Sequence, residues 1–371
     1  MSFKEKLIDL QVKKPYIFIL LTVALTILAI PGYFNLMSCL QPSVEKLLPK
    51  QAEVVKNINL VRDQFDVDAI QIVIDTNNDL RDPNALKTFD YFKNYLQEKV
   101  PHITKIMTPA DIVKEDLSYI PNTKEEVMKV VELDPRFRYF YNHDYRLAVI
   151  YVYTDIGPDT RLALNVIDTL KKHMQEFERY FPFDTKVYLT GFPALNIDLF
   201  FSIIFDFIKI SLVAFAIILA ILVVKFRRIS EVLLVISVII FPLLWTTGII
   251  GYLHLELTMV STVFGAMLMA LGISYGINFY NTYLQEKEKL KDKEKALRET
   301  TNMLLTALVG SSLTTIASFI ALLAGIVPSY RSLGIILAIG ISLVLIYTLI
   351  IFPAFISIKE GIYKTNNNSK N

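Results

Sequence analysis

The sequence predicts a polytopic α-helical membrane protein with six transmembrane helices and an extracytoplasmic α+β, ferredoxin-like domain inserted between helices 1 and 2. Hydrophobic residues make up 53% of the 371-residue chain, above the roughly 45–50% of ordinary soluble domains. They gather in stretches of about 20, the length that crosses a bilayer as a helix. One such stretch lies near the start and five lie towards the end. Charge is segregated as well. Met37 to Asp198 holds 20 Lys/Arg and 25 Asp/Glu, a balance of −5, while the remainder holds 18 and 11, or +7. An acidic, water-facing module is therefore joined to a basic and very apolar remainder. The composition excludes disordered, collagen-like and disulfide-stapled chains. Cys39 has no second cysteine to pair with in the chain. A net charge of +2 gives no reason to expect a nucleic-acid partner.

The first span is Pro15 to Leu36, preceded by Lys4, Lys6, Lys13 and Lys14. The second is Ile203–Val224, closed by Lys225, Arg227 and Arg228. The third is Val232–Leu253, the fourth Leu257–Tyr283, the fifth Met303–Val327 and the sixth Leu333–Ile358. Basic residues in short flanks mark the cytoplasmic side. They occupy residues 1–14, Lys225–Arg228, a charged helix at 284–302 with six Lys/Arg between Gln285 and Glu299, and the tail 359–371. The opposite short loops contain only Arg331. Both termini are expected in the cytoplasm, residues 37–198 outside it, and the protein in the cell membrane. Leu36-Met37-Ser38-Cys39 loosely resembles a lipoprotein cleavage site. The apolar stretch before it is long for a signal and Met is an awkward residue there, so a retained helix is the expectation.

Between the first two spans the periodicity becomes that of an α+β domain. Ala69–Ile74 reads as a buried strand ended by the turn-prone Asp75–Asp79. Asp82-Pro83 opens a helix with Leu86, Phe89, Phe92 and Leu96 on one face. An extended piece at His102–Ile106 and a polar helix at Asn122–Val131 follow. Arg146–Tyr153 is a second clear strand. Asp159–Arg179 is a helix with Leu162, Val166, Leu170 and Met174 facing inwards, and Thr185–Thr190 is the last strand. The order β-α-β-(α)-β-α-β is that of a split βαβ sandwich. Tyr139-Phe140-Tyr141 fit packing or an interface, with ligand contact as the alternative.

Nothing in the sequence points to an enzyme. His102, His143 and His173 fall in the outer module, and none stands at metal-ligand spacing with another His or Cys. There is no Gly-rich phosphate loop, nucleophile elbow or H-E-x-x-H. No catalytic residue, metal or cofactor is expected. Two acid–base neighbours, Asp206 and Lys209, stand one helical turn apart near the outer end of the second span and are expected to form an ion pair.

One span, a large outer domain and five further spans is an unusual layout, and several segments give it a family likeness. Leu47-Leu-Pro-Lys50 and Val61-Arg-Asp-Gln-Phe65 lie at the start of the outer domain, and Thr190-Gly-Phe-Pro193 precedes the second span. Trp245-Thr-Thr-Gly248 lies in the third. Ala270-Leu-Gly-Ile-Ser-Tyr-Gly276 lies in the fourth, where the family writes G-x-G-x-D-Y-G. Leu313-Thr-Thr315 and Phe319 lie in the fifth, and Pro353-Ala354 in the sixth. In these the chain resembles one repeat of the RND superfamily, in its MMPL-like, hydrophobe/amphiphile efflux-3 branch, which also resembles the patched and sterol-sensing proteins. The resemblance implies a transporter of lipids or other hydrophobic molecules. Family members of full length have two repeats and twelve spans, so a one-repeat chain that begins with Met and ends in the polar Lys364–Asn371 is expected to be whole. It is expected to pair with itself, as a dimer or trimer, or with a related RND half.

The second departure from the family bears on mechanism. Where the family places an intramembrane Asp before Tyr275 this chain has Ser274, and where a His often follows it has Asn278. A carboxylate buried in low dielectric has a raised pKa and can carry protons, whereas a serine hydroxyl does not ionise usefully. The third to sixth spans contain no ionisable Asp, Glu, Lys, Arg or His. Ser274, Tyr275, Asn278, Thr314 and Thr315 are the candidate transport or coupling positions. Ser274, Asn278 and Asn281 share one side of the fourth span, and Ser311, Thr314, Thr315 and Ser318 form a stripe on the fifth. These stripes fit hydrogen-bonded glue between spans, or an altered coupling site that binds a cation or water. Gly272 and Gly276 form G-x-x-x-G and are the expected close helix contact. The alternatives to a transporter are a non-pumping lipid-binding or sensing protein of sterol-sensing type, and a protein-export accessory.

Overall fold

The apolar stretches form long helices and the alternating ones form a sheet. A computed structural model of the chain describes residues 3–40, 49, 52–53, 55–57, 60, 69–156, 160–179, 181 and 184–362. In chain order the elements are α1 (Phe3–Lys13), α2 (Pro15–Phe34), α3 (Leu36–Cys39), β1 (Ala69–Thr76), α4 (Pro83–Lys99), β2 (Ile103–Met107), α5 (Pro109–Leu117), α6 (Lys124–Leu133), β3 (Leu147–Thr154), α7 (Thr160–Glu178) and β4 (Thr185–Gly191). There follow α8 (Phe192–Phe226), α9 (Ile229–Tyr252), α10 (Phe264–Leu290), α11 (Lys293–Ala321), α12 (Pro328–Ile346) and α13 (Phe352–Glu360). A π-turn, Tyr347–Ile351, joins the last two. Of the segments that carry the family likeness, Val61–Phe65 and all of Leu47–Lys50 but Pro49 lie outside the described residues, as does the tail from Lys364. The chain divides into two compact units: Met1–Pro49 with Ser202–Asn371, and Lys50–Phe201.

Among the described residues, six helical runs are long and apolar enough to cross a membrane: Pro15–Phe34, Phe192–Phe226, which begins in the second unit, Ile229–Tyr252, Met259–Leu290, Lys293–Ala324 and Pro328–Glu360. The third and sixth form the centre, each with 61% of its most apolar stretch buried, against 6% for the second and 11% for the fifth. The charged helix expected at 284–302 is not a separate element. Lys and Glu alternate there at helical spacing, so they prolong whichever helix they adjoin, and the stretch is divided between the end of α10 and the start of α11. Lys291, in the left-handed conformation (φ 54°), ends α10. Asp292 then caps α11, its Oδ1 accepting from Glu294 N at 3.0 Å and Lys295 N at 3.1 Å. Ala296, Leu297, Thr300 and Thr301 are buried, so the fifth helix packs well before the apolar stretch begins. The first fourteen residues, expected only as a basic flank, contain α1, which buries Ile8, Gln11 and Val12.

The closest backbone approach differs from the expected one. A Cβ on Gly272 would meet Val344 Cγ1 at 3.5 Å, and one on Gly276 would meet Val238 Cγ2 at 3.2 Å. Both glycines are buried beside neighbouring helices, but Gly272 makes only ordinary contact. The tight crossing is between α2 and α9. A Cβ on Gly32 would lie 2.1 Å from Gly248 O, and one on Gly251 would lie 1.8 Å from Gly32 O. Around it Tyr33 OH donates to Leu244 O (2.7 Å), Tyr252 OH to Leu28 O (2.6 Å) and Trp245 Nε1 to Thr26 Oγ1 (3.1 Å).

The second unit is built on a four-stranded antiparallel sheet of order β2-β3-β1-β4. Ile72 at its centre pairs with Ile150 on one side and Leu189 on the other. Alternation puts Ile70, Ile72 and Ile74 with Ala148, Ile150 and Val152 on one buried face, in a core with Phe89, Phe92 and Leu96 of α4 and Val166, Leu170 and Met174 of α7. Phe92 and Phe177 stack with ring centroids 3.6 Å apart. Asp82 caps α4 by accepting from Asn84 N at 2.8 Å, with Pro83 in the first turn. α5 is not among the elements expected from the sequence. Its signal was a capping box, in which Thr108 N donates to Asp111 Oδ2 at 2.8 Å and Pro109 opens the helix. Of the three aromatics Tyr139–Tyr141, Phe140 and Tyr141 are buried in this core and Tyr139 is exposed.

Candidate functional site

The expected transport positions lie on α10 and α11, which pack side by side. Tyr275 is buried, and its hydroxyl accepts from Ser312 Oγ at 2.9 Å, itself fully buried. This bond ties the two helices together. One residue earlier, Ser274 turns outward, and Asn278 follows on the same exposed side one turn later. Among the described residues neither side chain makes a hydrogen bond. Asn278 contributes only its backbone carbonyl, which accepts from Thr282 Oγ1 at 2.9 Å. Ser274 and Asn278 lie at the wall of an otherwise apolar groove of about 300 Å³, faced by Ile218 and Ile221 of α8 and by Ile273 and Ile277 of α10.

The polar stripe on α11 does not join the helices. Thr314 and Thr315 both donate to Ser311 O at 2.8 Å, and Ser318 donates to Thr314 O at 2.9 Å. Each hydroxyl folds back on its own helix, which satisfies it in an apolar setting. The link between spans comes from Ser312, which the sequence reading did not single out. It lies seven positions before Phe319, on the buried side of α11. Ser274, Tyr275 and Asn278 are thus brought to one stretch of α10, while on α11 Thr314 is exposed and Thr315 half-buried.

Asp206 and Lys209 are both exposed on α8, and no ion pair joins them among the described residues. Three positions along a helix leave side chains about 60° apart in azimuth, and an exposed pair gains little from being held together. The charged contacts lie instead at the basic end of the bundle. There Lys359 reaches Tyr280 OH and, at 3.4 Å, Glu231, while Glu360 accepts from Lys287 at 2.6 Å with Lys293 at 3.3 Å. These partners are 67 to 128 positions apart in sequence, which is why periodicity did not pair them.

At the other end of the bundle, near Leu36 and Ile203, is an apolar cleft of about 240 Å³. Leu36, Met37 and Leu40 face Ile203, Phe207 and Phe264 across it. Cys39 is buried beside it, its sulfur 3.3 Å from Asn35 O and 3.7 Å from Ile250 O. In the second unit, His102 pairs with Asp155 at 2.9 Å and His173 Nδ1 meets Tyr95 OH at 2.9 Å. Among the described residues no group of three His, Cys, Asp or Glu is placed to hold a metal. Asp79 sits under opposing influences. Burial pushes its carboxyl up, but hydrogen bonds from the Arg81 guanidinium and backbone N–H outweigh that and hold it below its ordinary 3.8.

Comparison with known proteins agrees with the helix pattern. A membrane protein of Methanocaldococcus jannaschii is 29% identical over 374 residues, covering 96% of this chain and 94% of that protein. The family model of the MMPL family matches residues 46–362, which takes in the second unit and five of the six apolar helical runs. This chain is therefore a membrane protein that belongs to the MMPL family.

Proposed function

We propose that this chain is a half-size transporter of the RND/MMPL kind that moves lipids or other hydrophobic molecules as a symmetric dimer. The observation that carries the reading is the outward-facing Ser274–Asn278 edge of α10, set beside the buried Tyr275–Ser312 bond. In hydrocarbon an amide such as Asn278 is costly unless another group meets it. A second copy supplies that group when the two fourth spans face one another, in the place that the second repeat occupies in a two-repeat chain. The apolar cleft near Phe207 and the isoleucine groove are suited to acyl or isoprenoid chains. The basic residues at 225–228 and 287–298 support an orientation with that end and both termini in the cytoplasm. The second unit then lies outside the cell membrane. Its strand order, β2-β3-β1-β4, supports a ferredoxin-like porter domain.

Energy coupling is not by the fourth-span carboxylate of the pumps, because Ser274 cannot titrate. This favours a second reading, in which the protein holds or senses a lipid without pumping it. Reconstitution separates the two. The protein in liposomes with a fluorescent phospholipid is given a pH gradient and, separately, a lipid gradient. The transporter reading expects lipid movement that the pH gradient does not accelerate, and proton-dependent movement gained in Ser274→Asp. Lipid binding without movement under either gradient would overturn it in favour of the second.

A further inference from the structure

The sixth span carries two irregularities close together, the π-turn Tyr347–Ile351 and Pro353. Proline has no amide hydrogen, so Leu349 O, four residues earlier, lacks the donor that a regular α-helix would give it. Leu349 is buried, and a buried carbonyl needs a partner. The donor comes from the first helix. Gln11 Nε2 lies 2.9 Å from Leu349 O and 3.0 Å from Ile350 O, and Gln11 is fully buried. One turn past Pro353, Ser357 Oγ donates to Val12 O at 3.2 Å. On its other side α1 is held by charge to α11, where Arg298 meets Asp9, the carboxylate that also pairs with Lys13 within α1 at 2.7 Å.

The economy of Gln11 is informative. Its Oε1 has no hydrogen-bond partner among the described residues, although it is buried. An apolar side chain of the same length would avoid that cost, as Ile8 and Val12 do on the same face. What Gln11 alone offers is the pair of amide hydrogens turned to the π-turn.

We propose that α1 is a detachable latch on the sixth span, with Gln11 supplying the hydrogen-bond donor that Pro353 lacks. While α1 is seated, the π-turn is stitched and the span is held as one rod. When α1 withdraws, Leu349 O loses the donor that Gln11 gives it and the turn becomes a hinge. The hinge has leverage on the transport positions. On its α12 side Val344 lies against Gly272 and Gly340 against Leu268, both on α10, the helix that carries Ser274 and Tyr275. Asp9 and Arg298 make seating of the latch depend on charge at the basic end.

Hydrogen exchange of the full chain in lipid nanodiscs, followed over residues 345–358, tests this. Gln11→Leu keeps the apolar fit and removes the donor, and should speed exchange of the amides after the π-turn about tenfold. Pro353→Ala returns an amide hydrogen to Leu349 O. On that background Gln11→Leu should change exchange by less than about twofold. Asp9→Asn, which weakens seating without touching the turn, should raise exchange to an intermediate level in the native background only. An equal Gln11→Leu effect on both backgrounds would reduce Gln11 to a packing residue and overturn the latch, as would no effect on either. Should Gln11→Leu fail to fold, recovery by Pro353→Ala supports the proposal, and failure on both backgrounds overturns it.

Discussion

A methyl group added to Gly251 would sit 1.8 Å from Gly32 O, where carbon and a carbonyl oxygen ordinarily stay about 3.3 Å apart. Relieving that clash requires α2 and α9 to separate by about 1.5 Å at their crossing, because backbone oxygen cannot swing aside as a side chain would. Such separation stretches the three bonds that flank it, from Tyr33, Trp245 and Tyr252. Overpacking of this kind costs about 1–3 kcal/mol, and at about 2–4 °C per kcal/mol Gly251→Ala should lower Tm by about 2–12 °C. Trp245 is the single tryptophan of the chain and bonds to α2, so its fluorescence reports this crossing directly. Two controls share the chemistry without the clash. A Cβ on Gly310 meets nothing within 4 Å, and one on Gly272 meets its nearest atom at 3.5 Å. Gly310→Ala should be neutral, or stabilising by up to about 1 kcal/mol from the better helix former. Melting in detergent with Trp245 emission as the probe decides. An unshifted Tm and emission in Gly251→Ala, or an equal loss in Gly272→Ala, would refute the reasoning.

Other consequences are open to measurement. Tyr275→Phe removes the acceptor of Ser312 and should cost about 0.5–1.5 kcal/mol in melting, whereas Thr314→Val, which removes a hydroxyl bonded to its own helix, should leave Tm within about 0.5 kcal/mol of native. Asp292→Ala should destabilise the start of α11 by about 1 kcal/mol, seen as faster exchange of the amides of Glu294 and Lys295. Asp79 has a depressed carboxyl, so it stabilises the folded second unit above its ordinary 3.8 and loses that contribution as pH falls below about 4. The protection factors of residues 79–82, each taken against intrinsic exchange at the same pH, should therefore fall on acidification from about pH 5 to 3, and Asp79→Asn should be less protected at neutral pH and less dependent on acid.

What could be read from the sequence followed from periodicity over long windows. The six apolar runs were legible because each exceeds the length of a bilayer crossing, and β1 and β3 because isoleucine and valine alternate with half-exposed partners. The charged stretch at 284–302 was misread because alternating Lys and Glu states that a helix exists but not where it breaks. The break is fixed by two residues, Lys291 and Asp292. The glycine pair chosen for close contact, Gly272 and Gly276, matches a spacing rule, but closeness depends on what the facing helix presents. Gly248 faces Ala29 and Gly251 faces Gly32, whereas Gly272 faces a valine. Likewise Ser311, Thr314, Thr315 and Ser318 were legible as a stripe, but their turning inward onto their own carbonyls is a matter of rotamers, which spacing does not encode. Gln11 could not be read at all, since its partners lie 338 and 339 positions away.

The inward-folded hydroxyls of α11 give that helix an unusual neutrality. Thr314, Thr315 and Ser318 owe nothing to whatever lies beside them, so the same surface tolerates an acyl chain or a neighbouring protein with little change in free energy. A contact made there forms and parts at small expense.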